Sequence, residues 1–377
     1  MNQNQFFNTI AEHHEKGFPF VVYRKPNGVS LKAILQNDDV AYKTESFDDS
    51  GFVFAPFNSE NDTILIPIRH SKTIEIPYVS STLESNTSKI NQKAKDSTNE
   101  AKLFHINLVD KAIKEITKDN IFEKVVISRK EIVKTSKTDS IQLLKKLLNK
   151  YKKAFVYCWY HPKIGLWLGA TPETLLKIQG NQLSTMALAG TQQYKDTTEV
   201  VWKNKERVEQ QIVTDFIVDK IKPLVKQLSI GKTETLKAGN LLHIKTELRG
   251  VLEKDRSNLK NVLLALHPTP AVCGIPKVKA KQFILDNENY NREFYTGFLG
   301  ELNIKEKITR NNNRRNVENN AYNAIKMVTN LFVNLRCMKY TDTDVTVFVG
   351  GGITKDSIPE NEWEETVNKT LTVKTIL

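Results

Sequence analysis

Apolar residues recur along this chain in two rhythms, and the switches between them mark out strands and helices. Period-two alternation, rich in β-branched and aromatic residues, predicts strands over residues 18–26, 51–56, 64–70, 122–133, 154–159, 164–168, 183–191, 301–305 and 327–338. The run Val345, Val347, Val349 predicts one more, ending in three consecutive glycines, Gly350 to Gly352. Helical spacing takes over elsewhere. Leu103, Ile106, Val109, Ile113 and Ile116 define one face of a helix over residues 101–118, and Val208, Ile212, Val213, Phe216 and Ile217 one over residues 201–221. A shorter helix is expected over residues 9–16. Beyond the glycines, Ser357 is placed to cap another helix, with Glu360 closing a capping box and Pro359 tolerated in the first turn. Residues 80–100 are rich in Ser, Asn and Lys and predict a surface linker. Residues 305–320 predict a basic, Asn-rich insertion in a hairpin, disordered and dispensable.

Composition narrows the class more than the function. With 377 residues, 40% hydrophobic and 26% charged, the chain has the balance of a soluble globular protein of one large or two ordinary domains. No apolar run approaches the ~20 residues of a membrane span, and the N-terminus lacks the basic start and apolar core of a secretory signal. A cytoplasmic location is therefore expected. Cys158, Cys273 and Cys337 are far apart, without metal-ligand spacing, as in a reduced interior. The net charge of +12 is spread along the chain rather than gathered in a basic tract with interleaved aromatics. Neither nucleic acid nor a membrane is expected as partner; a small anionic substrate stays compatible. The chain has no P-loop, GxGxxG, HExxH or GxSxG motif and no internal repeat.

Several residues change the picture because their chemistry does not match their surroundings. The triple glycine lets backbone approach a ligand closely. On the helix behind it, Glu362, Glu365 and Lys369 share one face; two carboxylates there suit a hard divalent cation, and the lysine suits an anion bound to it. The alternative for Glu365 and Lys369 is an exposed i, i+4 pair. Glu206 and Glu209 head the apolar stripe of the helix over 201–221, where a carboxylate needs a cation or donors. Two such helices facing each other would offer four carboxylates to one Mg²⁺. Lys124 opens its strand: solvated it is inert, desolvated it is a candidate general base. Glu173 follows a proline-fixed corner at a strand end, either a turn carboxylate in water or a half-buried proton donor. Ala189, Gly190 and Thr191 end a strand in small residues, which a ligand or a simple turn would each explain. Arg336, predicted on an apolar strand between Leu335 and Cys337, requires an anion. His267, before a proline, reads first as a hydrogen-bonded structural group.

The segments FEKVVISR, GATPETLL, LAGT, KERVEQQIV, HPTPAVCGIPK, EFYTGFLGEL, LRC, VFVGGGI and ENEWEETVNK follow one another in this chain. In that order they resemble the chorismate-utilising enzyme family over roughly residues 100–377; the first hundred residues carry no matching motif. The resemblance implies one α+β domain over residues 1–377, with α/β-type layers: large antiparallel sheets with outer helices around a central cleft, as in aminodeoxychorismate synthase. It implies chorismate as substrate and Mg²⁺ as cofactor. Water would attack ring C2 as the 4-hydroxyl leaves, giving isochorismate. Lys124 would be the base and Glu173 the acid. Glu209 and Glu365 would hold Mg²⁺, flanked by Glu206 and Glu362. Arg336 and Lys369 would grip carboxylates with backbone at Ala189, Gly190, Thr191, Gly350 and Gly351, and His267 would lie near the ring. Lys124 selects water as nucleophile, since ammonia-using relatives carry no lysine there. Salicylate formation, with pyruvate elimination added, is the runner-up. An anion or nucleic-acid binder driven by charge is the alternative of another class. Gln210 departs from the histidine frequent after the metal glutamate. A monomer is expected, and nothing in the residues separates menaquinone from siderophore supply.

Overall fold

A computed structural model describes residues 1–79, 99–119, 122–134, 139–253, 259–308 and 324–377. The expected linker and the basic insertion fall largely outside these residues. The described chain forms two nine-stranded sheets in which all pairings are antiparallel. The first runs, in spatial order, Gly274–Ile275, Lys124–Lys134, Asp344–Ile353, Cys337–Tyr340, Gly165–Thr171, Phe155–His161, Phe20–Arg24, Ser30–Gln36 and Ser71–Pro77. The second runs Val225–Ala238, Leu241–Leu252, Gln182–Gln193, Thr174–Gln179, Ala324–Val333, Phe298–Ile308, Gly51–Ala55, Ile64–Pro67 and Tyr42–Lys43. Strands from the first eighty residues thus enter both sheets.

The apolar pattern of one strand explains the layering. All five residues of Phe20–Arg24 are buried. Phe20 and Val22 join an outer cluster with Phe6, Ile10, Leu143 and Leu147, under the helices Gln3–Glu15 and Ser140–Lys150. Val21 and Tyr23 point the other way, into a cluster of aromatic residues from both sheets. There Phe155 of the first sheet stacks on Phe332 of the second, ring centroids 4.1 Å apart, and Phe54 lies 4.8 Å from Trp159. A third cluster covers the outer face of the second sheet, with Val213, Phe216 and Ile217 of the helix Asn204–Ile221. The architecture is therefore the expected one of large antiparallel sheets with helices outside.

The two sheets are also joined by charge. Glu301, on the second sheet and 1% exposed, accepts from Tyr23 Oη (2.5 Å) and pairs with Lys25 (2.7 Å) and Lys32 (3.0 Å) of the first. Burial alone would raise its pKa, but Lys25 and Lys32 more than offset that and hold it at about 2. A carboxylate depressed from its ordinary value contributes stability above pH ~4.5 that is lost as the pH falls toward 2. Glu301→Gln is expected to destabilise the fold by about 2–3 kcal/mol at pH 7, less than a fully desolvated pair because Lys25 is one-third exposed. Urea melts at pH 7 and pH 3 check this: the gap between wild type and variant should narrow at pH 3.

Local details depart from the sequence expectations. The first helix starts at Gln3, earlier than residue 9, because Asn2 and Gln5 close a reciprocal capping box. Its counterpart near residue 201 starts only at Asn204: Trp202 Nε1 donates to Thr235 Oγ1 (3.0 Å) and Gln192 Nε2 to the Val201 carbonyl (3.1 Å), holding these residues extended. Val208, predicted in its apolar stripe, is exposed, as is Leu103 on the helix Asn99–Asp119. Gln210 is buried instead, donating to Thr214 (2.9 Å) and Thr246 (2.8 Å), so this glutamine pins the helix to the second sheet. Ser357 does not cap the helix Pro359–Lys374; its hydroxyl accepts from Thr354 N (3.1 Å) in the preceding turn, and Ile358 takes the cap position.

Candidate active site

The chain passes from the first sheet to the second after Thr171, and back after Val333. Those two passages carry Glu173 and Arg336. Val333 N donates to the Glu173 carbonyl (3.0 Å), Ala170 N to the Arg336 carbonyl (3.2 Å), and Thr171 Oγ1 to the Val333 carbonyl (2.6 Å). Arg336 is not on a strand, as its sequence context predicts. Its backbone is left-handed (φ 50°), and the ladder resumes at Cys337. A cleft of about 670 Å³, including its open mouth, lies against these passages. Glu173, Ala189, Gly190, Thr191, Glu209, Arg336, Gly350, Gly351 and Lys369 all line it, as the sequence expectations require.

Glu173 is 3% exposed, and burial raises its pKa to about 8 against the pull of Lys124 and Arg336. A carboxyl so placed is protonated at neutral pH and able to donate. Lys124 begins the strand Lys124–Lys134, which pairs with Asp344–Ile353 so that Val126 faces Gly352 and Ile127 faces Gly351. It is 0% exposed, and Nζ stands 2.8 Å from Glu209 Oε1, an ion-pair distance without hydrogen-bond alignment. Glycine is required opposite: a Cβ at residue 352 would overlap Glu209 Oε1 and stand 2.8 Å from Lys124 Cε. Gly190 is held at φ +72°, and a Cβ there would come within 3.0 Å of the Glu206 Cβ.

The helix Pro359–Lys374 brings Glu362 and Glu365 against Gly351, so this pair meets Glu209 at the triple glycine, while Glu206 lies against Gly190. Lys369 reaches Glu365 (2.6 Å) and donates to the Gly350 carbonyl (2.8 Å), while Lys205 pairs with Glu362. Burial and then repulsion by Glu365 push Glu362 up, against Lys205. For Glu365, burial acts upward too, but Lys369 leads the cations that bring it below its ordinary value. Among the described residues no three potential ligands already stand close enough to cage a metal ion. The donor set nevertheless fits a hard cation: all carboxylates, with buried oxygens of Glu206 and Glu362 (Oε2 of each) making no hydrogen bond.

His267 is not on the cleft wall. It is buried edge-on against Phe298 (5.0 Å), with its pKa lowered to about 3 by burial and then by Lys277. The histidine of the cleft is His243, which the sequence expectations omit. Its Nδ1 lies 2.9 Å from the Gly190 carbonyl and Nε2 3.2 Å from Arg336 Nη2. Burial, then Arg336, lower its pKa to about 3. The neutral tautomer with Nδ1–H satisfies both contacts, donating to the carbonyl and accepting from the guanidinium. The only signal in the sequence was a ring between apolar neighbours in LLHIK. Tyr295, stacked on Phe348 at 5.5 Å, also lines the cleft and was missed.

Two profiles described as chorismate binding enzyme match the chain, over residues 57–308 and 325–375. The chain belongs to the chorismate binding enzymes. The match begins at residue 57, inside the part where no motif was expected. Isochorismate synthase MenF of Pasteurella multocida is 31% identical over 220 residues, covering 56% of this chain and 46% of that protein. Anthranilate synthase component 1 of Aquifex aeolicus is 26% identical over 274 residues, covering 70% and 50%. The chain thus spans about half the length of these relatives. In fold it is similar to a crystal structure described as a putative 2,3-dihydroxybenzoate-specific isochorismate synthase, DhbC, from Bacillus anthracis, with TM-score 0.74, 22% identity and coverage of 97% and 98%. The menaquinone-specific isochorismate synthase MenF of Escherichia coli gives TM-score 0.72 at 19% identity, covering 95% and 88%.

Proposed function

We propose that this protein converts chorismate to isochorismate with the help of Mg²⁺. The observation that carries the reading is a protonated, desolvated glutamate on a cleft wall that also holds the cations Arg336 and Lys369, with the buried Lys124 directly behind the lining residues Glu209 and Gly352. Chorismate carries two carboxylates, and Arg336 and Lys369 supply their counter-charges. Lys124 takes a proton from the water that adds at ring C2. Glu173 gives its proton to the departing 4-hydroxyl, which leaves as water, so one water enters and one leaves. Neutral His243 keeps the Arg336 guanidinium aimed. Glu209 and Glu365 would hold the metal with Glu206 and Glu362 beside them, and the bound ion would neutralise and orient a substrate carboxylate.

Most of the relatives' names support this product over an aminated one, the anthranilate synthase being the exception, and Lys124 supports water as nucleophile. Incubating purified protein with chorismate and MgCl₂, followed by chromatography, should yield isochorismate, and excess EDTA should remove the activity. Fluorescent salicylate as sole product would instead mean that pyruvate elimination follows. Unchanged chorismate in the presence of Mg²⁺ would defeat the reading.

A further inference from the structure

We infer that Lys205 is a resident cation of the acidic cluster, filling the place of a divalent ion until that ion displaces it; the inference rests on the metal reading above. Glu209, Glu362 and Glu365 converge on Gly351 and Gly352, with Glu362 buried and the other two partly so. Uncompensated carboxylates packed this way repel one another and lose their hydration, so the metal-free cluster needs positive charge. Lys124 supplies it to Glu209 and Lys369 to Glu365, at 2.8 and 2.6 Å. Glu362, only 1% exposed, is left to Lys205.

The three lysines differ in one respect. The side chains of Lys124 and Lys369 are 0% and 12% exposed, whereas that of Lys205 is 29% exposed. Lys205 alone of the three has solvent to withdraw into. It stands one residue before Glu206 on the helix that also carries Glu209. Burial opposes its charge, but Glu362, followed by Glu365 and Glu209, offsets that and raises its pKa, which keeps it cationic at neutral pH. Glu362 Oε2 meanwhile makes no hydrogen bond, an acceptor turned into the cluster and left open beside the one Lys205 occupies. A divalent ion bound there must send the ammonium out to water, and the wild-type affinity for metal carries that competition.

The test is calorimetric titration of MgCl₂ into substrate-free wild type, Lys205→Gln and Lys205→Arg, with thermal melts of each in EDTA and in saturating MgCl₂. Lys205→Gln should bind Mg²⁺ about tenfold more tightly, because a point charge beside the site is gone. Its EDTA melt should fall below wild type, while its Mg²⁺-saturated melt should match. Lys205→Arg, which keeps a cation, should bind as wild type does. Equal or weaker Mg²⁺ binding by a folded Lys205→Gln would overturn the inference and leave the metal reading intact. So would an Arg variant that binds as tightly as the Gln variant. Wild type that takes up no Mg²⁺ would sink the metal reading itself, and the inference with it.

Discussion

Glu173→Gln should lower kcat on chorismate by about 10²–10⁴-fold, the usual range for losing a general acid. Gln keeps the shape and a hydrogen-bond donor but has no proton to give. The pH profile separates this from a packing defect. Since burial raises the Glu173 pKa to about 8, wild-type activity should hold up to that pH and then fall as the carboxyl ionises. The residual activity of the variant should lack that fall. Stability should move the other way. A carboxyl whose folded-state pKa lies above its ordinary value gives stability that is complete below pH ~4.5 and drains away as the pH rises toward 8. At pH 7 the wild type has already lost part of it, and Gln has no charge to bury. The variant should therefore melt a few degrees higher at pH 7, with the difference shrinking at pH 5. Undiminished turnover by Glu173→Gln would remove Glu173 from the chemistry.

Lys124→Met should cost as much, about 10²–10⁴-fold in kcat. Met fills the buried stem position beside Gly352 without an amine, so any loss reports on the base rather than on a cavity. Chorismate binding, measured by calorimetry at saturating Mg²⁺, should change only a few-fold, since Arg336 and Lys369 are untouched. A variant that turns over normally, or one that fails only because it no longer binds chorismate, would argue against proton abstraction by Lys124.

The strands and outer helices were legible because their two periodicities are written in apolar residues. Phe20 to Tyr23 could be read as a strand from composition alone. That its two faces enter different clusters could not, because that depends on which sheet covers it. Both acidic pairs were read from helical spacing; Glu209, Glu362 and Glu365 come to Gly351 and Gly352, whereas Glu206 lies against Gly190. Their lysines were only half found. Lys369 lies on the same helix face as Glu365, but Lys205 meets Glu362 across 157 residues, and no local spacing encodes that. The histidines were exchanged for a similar reason. His267 stands in a conspicuous proline-rich motif that serves packing. His243 stands in an ordinary-looking strand, and only pairing with the strand Gln182–Gln193, which carries Gly190, brings it to the cleft. Arg336 was read as a strand residue because its neighbours are apolar, yet its left-handed backbone is what lets the chain change sheets.

Glu173 and Arg336 sit where the chain travels from one layer to the other, outside any row of paired amides, whereas Lys124 is fixed within such a row. A side chain in a row takes its direction from the pleat, and re-aiming it means shifting register along many residues. A side chain in a passage has no such debt. Evolution could therefore re-aim the groups proposed to serve the leaving hydroxyl and the substrate's charge by small edits at two short segments. The attacking side offers only replacement of the lysine itself.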